Sequence, residues 1–140
     1  MPSPEIRPLV PEDLEAVVAL WKSTEGLGNG PGDSVEALGR FLARNRGLSL
    51  VSAEGSTIVA ALLCGHDGRR GFIYHLAVTP KFRRQNVARE MVRSCLSALK
   101  AHGIERCLIL VQADNEGALA FWKAAGCRAR PDLVPLSIDL

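Results

Sequence analysis

The middle of the chain constrains the fold more than any other part of the sequence. An apolar run at residues 72–78 has the composition of a strand and stops at Pro80. Residues 87–102 repeat apolar side chains at helical spacing, and Gly103 ends that predicted helix. Residues 106–111 are almost purely apolar, which is typical of a strand covered on both faces. A strand, a helix and a strand in succession predict an α/β protein with a mixed sheet.

The other segments extend this unit to the order β-α-α-β-β-β-α-β-α-β. Each is assigned from the period of its apolar residues and from the turn residues that flank it. The sequence shows no internal repeat and no second domain, so residues 1–140 are expected to form a single domain. The further predicted elements are strands at residues 5–9, 48–53, 56–64 and 131–139 and helices at residues 12–23, 34–45 and 115–125.

Composition excludes several classes of function. The chain has 140 residues and is 47% hydrophobic and 23% charged, as in ordinary globular proteins. No apolar run approaches the roughly 18–20 residues of a membrane span, and residues 1–8 lack a basic-then-apolar leader pattern. A net charge of +2 is too small to indicate a nucleic-acid binder. We therefore expect a cytoplasmic protein with neither a membrane nor a nucleic-acid partner.

The spacing of cysteine and histidine does not indicate a metal site. No two of the four cysteines form a CxxC pair, and the three histidines are scattered along the chain. The cysteines lie in apolar contexts, so they are predicted to be reduced core residues. They are Cys64, Cys95, Cys107 and Cys127.

Cations are concentrated around the turn that joins the strand at residues 72–78 to the helix at residues 87–102. Glu90 is the only acidic residue among them. A helix N-terminus has about four unpaired backbone N–H groups and roughly half a positive charge, so it binds phosphate readily. The turn therefore predicts a site for a phosphorylated ligand, and the alternative is a solvated basic connection. The cations are Arg69, Arg70, Lys81, Arg83, Arg84, Arg89 and Arg93.

This turn resembles the acyl-CoA signature of the GNAT N-acetyltransferase superfamily. In that family a strand ending Leu-Ala-Val-x-Pro precedes Arg/Gln-x-x-Gly-x-Gly/Ala, and here the strand ends Leu76-Ala77-Val78-Thr79-Pro80. Arg84 and Asn86 stand where glycine is frequent, and asparagine is the residue after glycine that best tolerates a positive φ. The resemblance implies that the pyrophosphate of acetyl-CoA is cradled by backbone groups of Arg83, Arg84, Gln85, Asn86, Val87 and Ala88.

The resemblance also implies how the sheet holds the rest of acetyl-CoA. In the family two central strands splay apart, and the pantetheine arm lies between them. Here those strands are residues 72–78 and 106–111. Main-chain groups of Leu76, Ala77 and Val78 are then expected to pair with the pantetheine as an added strand would.

A second resemblance covers residues 115–127, which are similar to the family's Asn-x-x-Ala-x-x-Phe-Tyr-x-x-x-Gly-Phe segment. It implies that Asn115 contacts or positions the pantetheine arm. Trp122 replaces a tyrosine that often protonates the leaving thiolate, and an indole N–H is no useful acid near neutral pH. Water could supply that proton instead, because a thiolate is a good leaving group. The chain also resembles a small bacterial branch often labelled YpeA-like. The features that carry this resemblance are Trp21, the Gly26-Leu27 pair, the turn at residues 67–71 and the closing strand at residues 131–139.

The candidates for proton removal lie mainly on the strand before the basic turn. Acetyl transfer to an amine needs a base or a water path for the amine's proton. The strand offers His75 and Tyr74, and Glu25 in a glycine-rich loop is a third candidate. Alternation along a strand predicts that Tyr74 and His75 face opposite sides. His75 suits the role if its side is active, since imidazole titrates near neutral pH. If the side of Tyr74 is active, a water relay or a group from outside this strand must take the proton.

Together these inferences predict an acetyl-CoA-dependent N-acetyltransferase that transfers the acetyl group directly to an amine acceptor, without a metal. The acceptor is a primary amine of a small molecule or peptide. A non-catalytic acyl-CoA-binding module with the same fold is the alternative, favoured by Trp122 and Asn86. A weak RNA-binding domain is a third hypothesis, opposed by the scarcity of aromatic side chains on the basic stretch. Dimerisation through C-terminal strands is frequent in the family, so a homodimer is also predicted.

Overall fold

A computed structural model describes residues 3–27 and 30–140 of the chain. The elements fall into two compact units, one ending at Leu110 and the other formed by Val111–Leu140. In chain order the elements are β1 (Glu5–Pro8), α1 (Leu14–Lys22), α2 (Val35–Arg44), β2 (Leu50–Glu54), β3 (Thr57–His66), β4 (Gly71–Val78), α3 (Val87–Ala101), β5 (Cys107–Ile109) and α4 (Glu116–Ala124), with 3₁₀ turns at Pro11–Asp13 and Pro80–Phe82.

The first unit is built on a five-stranded sheet in the order β1-β2-β3-β4-β5. The strands from β1 to β4 pair antiparallel, whereas β5 pairs parallel with β4. Parallel neighbours need a crossover connection, and α3 supplies it between β4 and β5. The predicted α/β class with a mixed sheet is therefore confirmed.

Helices cover both faces of this sheet. Val17 of α1 and Leu38 of α2 are buried in one cluster with Leu63 of β3. The next residue of β3, Cys64, forms a hydrogen bond with Cys95 of α3. Because consecutive strand residues point to opposite faces, α3 lies on the face opposite α1 and α2.

The cysteines divide into two classes of burial. Cys64 and Cys95 are fully buried, as predicted for core residues. Cys107 and Cys127 are only partly buried, so the prediction of four core cysteines is wrong for these two. Cys107 belongs to β5, which extends for three residues at the edge of the sheet and is half-buried throughout. The prediction that this strand is covered on both faces is therefore also wrong.

Polar side chains fix the starts of the first two helices. The Oγ of Ser34 accepts a hydrogen bond from the N–H of Ala37 at 3.1 Å and so caps α2. Before α1, the guanidinium of Arg7 donates to both carboxylate oxygens of Asp13 at 2.7 and 2.9 Å. These hydrogen bonds hold the pKa of Asp13 below its usual value.

No helix in the described part of the chain is long and apolar enough to cross a membrane.

The last predicted strand, residues 131–139, is wrong. Residues 127–140 contain a turn but no strand, and Leu136 and Ile138 are 92% and 85% exposed. Pro131 and Pro135 remove two of the N–H donors that a strand would use. The apolar residues of this tail alternate as in a strand, but its backbone joins none of the described strands and its apolar side chains are exposed.

Two buried serines beside β3 are expected to respond oppositely to alanine. Ser52 has a buried Oγ without a hydrogen-bond partner in the described residues, whereas the Oγ of Ser49 accepts from the N–H of Cys64 at 3.0 Å. Ser52→Ala should therefore raise the free energy of unfolding by about 1 kcal/mol, because an unpaired buried hydroxyl is removed. Ser49→Ala should lower it by about 1–3 kcal/mol, because the N–H of Cys64 is left unpaired. Urea unfolding of both variants measures the difference, and a destabilised Ser52→Ala variant would contradict the first expectation.

Candidate active site

β4 extends beyond its partner β5, which leaves one edge of its last five residues without a strand in the first unit. The two strands pair at Gly71, Phe72 and Ile73 of β4, and β5 ends at Ile109. The rest of β4 continues to Val78 and, among the described strands, pairs with β3 alone. The predicted splaying of the two central strands is thus present as an early end to their pairing. The backbone edge of β4 beyond Ile73 is therefore a candidate for pairing with an extended ligand.

A β-bulge at His75 interrupts the pairing of β4 with β3. Ala61 pairs with Ala77 and Leu63 pairs with Tyr74, so one residue of β3 faces two residues of β4. His75 has a φ of 56°, in the left-handed region that few residues other than glycine adopt. The bulge breaks the alternation of side chains along the strand.

The bulge brings His75 and Tyr74 to the same side of the sheet. Tyr74 packs against the core cluster of α1 and α2, and the ring of His75 lies 5.1 Å from the ring of Trp21 in α1. The prediction that the two side chains face opposite sides is therefore wrong. It is wrong because the bulge adds one residue to β4, and the extra residue breaks the regular alternation of side chains.

His75 is held by a carboxylate from the segment that precedes α2. Its Nε2 lies 3.0 Å from Oδ1 of Asp33, and the two side chains are 22% and 21% exposed. The other carboxylate oxygen of Asp33 accepts the N–H of Gly30 at 2.9 Å. Sequence reasoning missed this pair, because an aspartate or serine just before a predicted helix is typical of a helix cap and Asp33 lies 42 residues from His75. Ser34 is the cap, and no local pattern indicates the contact of Asp33.

Aromatic side chains form a cluster around Tyr74, on the same side of the sheet as this pair. Tyr74 stacks on Phe72 with ring centroids 5.8 Å apart and meets Phe41 of α2 edge-on at 6.4 Å. Burial raises the pKa of the Tyr74 phenol, so it stays neutral near pH 7 and can donate a hydrogen bond but cannot act as a base. The buried Nε1 of Trp21 has no hydrogen-bond partner among the described residues, which is unusual for a buried donor.

Glu25, the third candidate base, stands apart from this arrangement. It is exposed and forms no hydrogen bond or ion pair with any residue in the ranges that the structure describes. Within the same ranges, no group of three or more His, Cys, Asp or Glu side chains is arranged to hold a metal ion. Of the three candidates, His75 is the one with a carboxylate against its ring.

The turn after β4 presents a row of backbone N–H groups to solvent. Arg84 and Asn86 have φ angles of 64° and 65°, the conformation that glycine adopts most easily. No acceptor in the described residues pairs with the N–H groups of residues 84–89, the last of which lies in the first turn of α3. Successive backbone N–H groups in a turn of this kind form concave anion-binding sites. The turn therefore fits a pyrophosphate although two of its residues are not glycine.

Side chains of the turn add positive charge and contact the end of β4. Lys81, Arg83 and Arg84 are exposed, and none of them forms an ion pair with a described residue. Nε of Arg83 donates to the carbonyl of Val78 at 2.9 Å. The strand edge and the anion-binding turn are thus adjacent in space as well as in sequence.

Asn115 and Trp122, the two remaining predicted site residues, belong to the second unit. The side chain of Asn115 accepts the N–H of Ala118 at 3.0 Å and caps α4. Trp122 is buried, and its ring meets that of Phe121 edge-on at 5.1 Å. Asn115 therefore caps α4 in the absence of a ligand.

The left-handed conformation of residue 86 predicts a specific order of stability. Asn86→Ala should be less stable than Asn86→Gly by about 1 kcal/mol, because a Cβ disfavours that conformation. At Ser94, an exposed residue inside α3, the order should be reversed, since glycine in a helix costs about 1 kcal/mol relative to alanine. Urea unfolding of the four variants measures both differences. Equal stability of the two variants at residue 86 would show that this position is not left-handed.

Comparisons with known proteins agree with this geometry. Residues 14–127 match the acetyltransferase (GNAT) family. An acetyltransferase of Photorhabdus laumondii subsp. laumondii is 30% identical over 115 residues, which are 82% of this chain and 80% of the relative.

Two solved structures share the fold. An aminoglycoside acetyltransferase from an uncultured soil metagenomic sample, in complex with sisomicin, has a TM-score of 0.78 at 20% identity and covers 97% of this chain and 95% of its own. The PaiA N-acetyltransferase of Thermoplasma acidophilum, in complex with coenzyme A, has a TM-score of 0.74 at 20% identity over 88% of each chain. The anion-binding turn and the open edge of β4 fit acetyl-CoA, the donor that this family uses. On the family match and the relative's identity, this chain belongs to the GNAT acetyltransferase family.

Proposed function

We propose that the protein transfers an acetyl group from acetyl-CoA directly to a primary amine of a small molecule or peptide. The observation that carries the proposal is the position of His75. Its imidazole is held by Asp33, and it lies on the part of β4 that does not pair with β5. Only a neutral amine can attack a thioester, so an N-acetyltransferase needs a base or a water path for the amine's proton, and His75 is a base in the required place.

The first unit supplies the groups proposed to hold acetyl-CoA. Backbone groups of Leu76, Ala77 and Val78 pair with the pantetheine arm along the open edge. The pyrophosphate accepts hydrogen bonds from the amides of the turn, at Arg83, Arg84, Gln85, Asn86, Val87 and Ala88. When bound, acetyl-CoA supplies an acetyl group activated as a thioester.

His75 and Tyr74 are proposed to act on the acceptor. His75 takes the proton that the amine loses, and the neutral phenol of Tyr74 donates a hydrogen bond to the acceptor or to a water beside it. The unpaired N–H of Trp21, whose ring packs on His75, offers a further donor to an oxygen of the acceptor. For Asn115 and Trp122, the roles that the resemblance implies remain proposals. Because the indole of Trp122 is no useful acid, water is proposed to protonate the leaving thiolate.

Three wider features complete the proposal. The family match extends across both compact units, which supports residues 1–140 as one functional domain. The exposed Leu136 and Ile138 support a homodimer, since a second copy would remove them from water. The cytoplasm is the location proposed from composition.

An acyl-CoA-binding module without turnover is the second candidate function. It is favoured by Trp122, which stands where the family often has a tyrosine acid. Binding of acetyl-CoA without release of free CoA across a broad panel of amines would identify the module. Release that depends on an added amine would identify the enzyme.

The binding site is tested by thermal unfolding with acetyl-CoA, CoA or ATP added separately. A ligand present at 100 times its Kd adds about 2.7 kcal/mol to stability, which is several degrees for a domain of this size. We expect acetyl-CoA and CoA to raise Tm and ATP to have little effect, because ATP lacks the pantetheine arm. No change with any of the three would contradict the proposed site.

The proposed base is tested by replacing His75 with asparagine, which also tolerates a positive φ. His75→Asn should lower kcat by about 10²–10⁴-fold, the usual contribution of a general base. The Tm increase with acetyl-CoA should stay as in the wild type, since the backbone of the turn is unchanged. His102→Asn at the end of α3 is the matched control and should retain full activity. Equal activity of the His75 and His102 variants would exclude His75 as the base.

A further inference from the structure

Asp33 lies against the imidazole of His75 but belongs to neither the strand nor the turn of the candidate active site. The contact joins Oδ1 of Asp33 to Nε2 of His75 at 3.0 Å. Both side chains are about four-fifths buried, so the pair is largely shielded from water. The imidazole reaches this position because the bulge places His75 at a positive φ.

A carboxylate can only accept a hydrogen bond, so the neutral imidazole must carry its hydrogen on Nε2. Nδ1 is then left with a lone pair, and it has no hydrogen-bond partner in the described part of the chain. We propose that Asp33 is a positioning residue that fixes His75 as the Nε2–H tautomer, so that Nδ1 is the atom that accepts the proton of the amine. This inference rests on the proposed function and adds the residue and the atom that make His75 a base.

Asp33 is itself held in place from its other side. Its Oδ2 accepts the N–H of Gly30 at 2.9 Å, and its own N–H donates to the carbonyl of Gly30 at 3.2 Å. The ring of Trp21 packs on the imidazole at 5.1 Å. The orientation of the imidazole is therefore determined by a turn on one side and an indole on the other.

These contacts allow the chemistry of Asp33 to be separated from its structural role. In Asp33→Asn the amide oxygen can still accept the N–H of Gly30, so the turn is retained. The amide NH₂ then points at Nε2 of His75 and must donate to it, which moves the ring hydrogen to Nδ1. An imidazole with hydrogen on Nδ1 cannot accept a proton there, which is the reason that the same exchange disables His-Asp pairs in hydrolases.

Two measurements on Asp33→Asn test the inference. ¹⁵N NMR of the histidine rings at alkaline pH should show His75 as the Nε2–H tautomer in the wild type and as the Nδ1–H tautomer in the variant. Steady-state kinetics should show kcat reduced at least about 100-fold, with the Tm increase from acetyl-CoA unchanged. Ser34→Ala is the control, because it removes the cap of α2 at the next residue without touching His75. It should lose stability but keep both the tautomer and kcat.

The outcomes separate this inference from the proposed function. A wild type with the Nδ1–H tautomer, or an active wild type whose Asp33→Asn variant keeps kcat within about threefold, overturns the role of Asp33. An equal loss of kcat in Ser34→Ala also overturns it, since Asp33 would then act through the fold alone. A wild type that acetylates no amine rejects the proposed function, while the NMR result still decides which nitrogen Asp33 holds protonated.

Discussion

The pairing of β4 with its two neighbours determines where chemistry can occur in the first unit. On one side β5 stops after three paired residues, and on the other side the bulge at His75 shifts the register with β3. The early end of β5 exposes a strand edge, and the bulge turns an imidazole toward α1 and Asp33. Both irregularities remove hydrogen bonds that a regular sheet would have made. The helices on both faces bury most of β3, the neighbour that stays paired with β4 beyond the end of β5.

Most of the fold could be predicted from the sequence, because most of its elements are set by local patterns. The stripe of α3, the turn after β2 and the proline after β4 each specify an element without reference to distant residues. The left-handed conformation of residue 86 was predictable for the same reason, since asparagine is one of the few side chains that tolerate it. The YpeA-like branch stays a prediction.

The features that could not be predicted depend on contacts between distant residues. The bulge at His75 leaves no mark in the alternation of the strand, so the sequence placed Tyr74 and His75 on opposite sides. Asp33 resembled a helix cap, and only the folded chain shows that it faces an imidazole 42 residues away. The apolar residues of the tail at residues 131–139 alternate as in a strand. A strand also needs backbone N–H groups that pair with a neighbour, and the two prolines of the tail remove two of them.

The unpaired amides at residues 84–89 also allow ligand binding to be followed by hydrogen exchange. N–H groups without acceptors exchange hydrogen with solvent fast, whereas those inside α3 are protected by the hydrogen bonds of the helix. Hydrogen exchange of the free protein should therefore show a short, fast interval at residues 84–89, ahead of the slow amides of α3. Any anion that accepts hydrogen bonds from these amides would slow that interval alone, and the number of slowed amides would count the hydrogen bonds that it accepts.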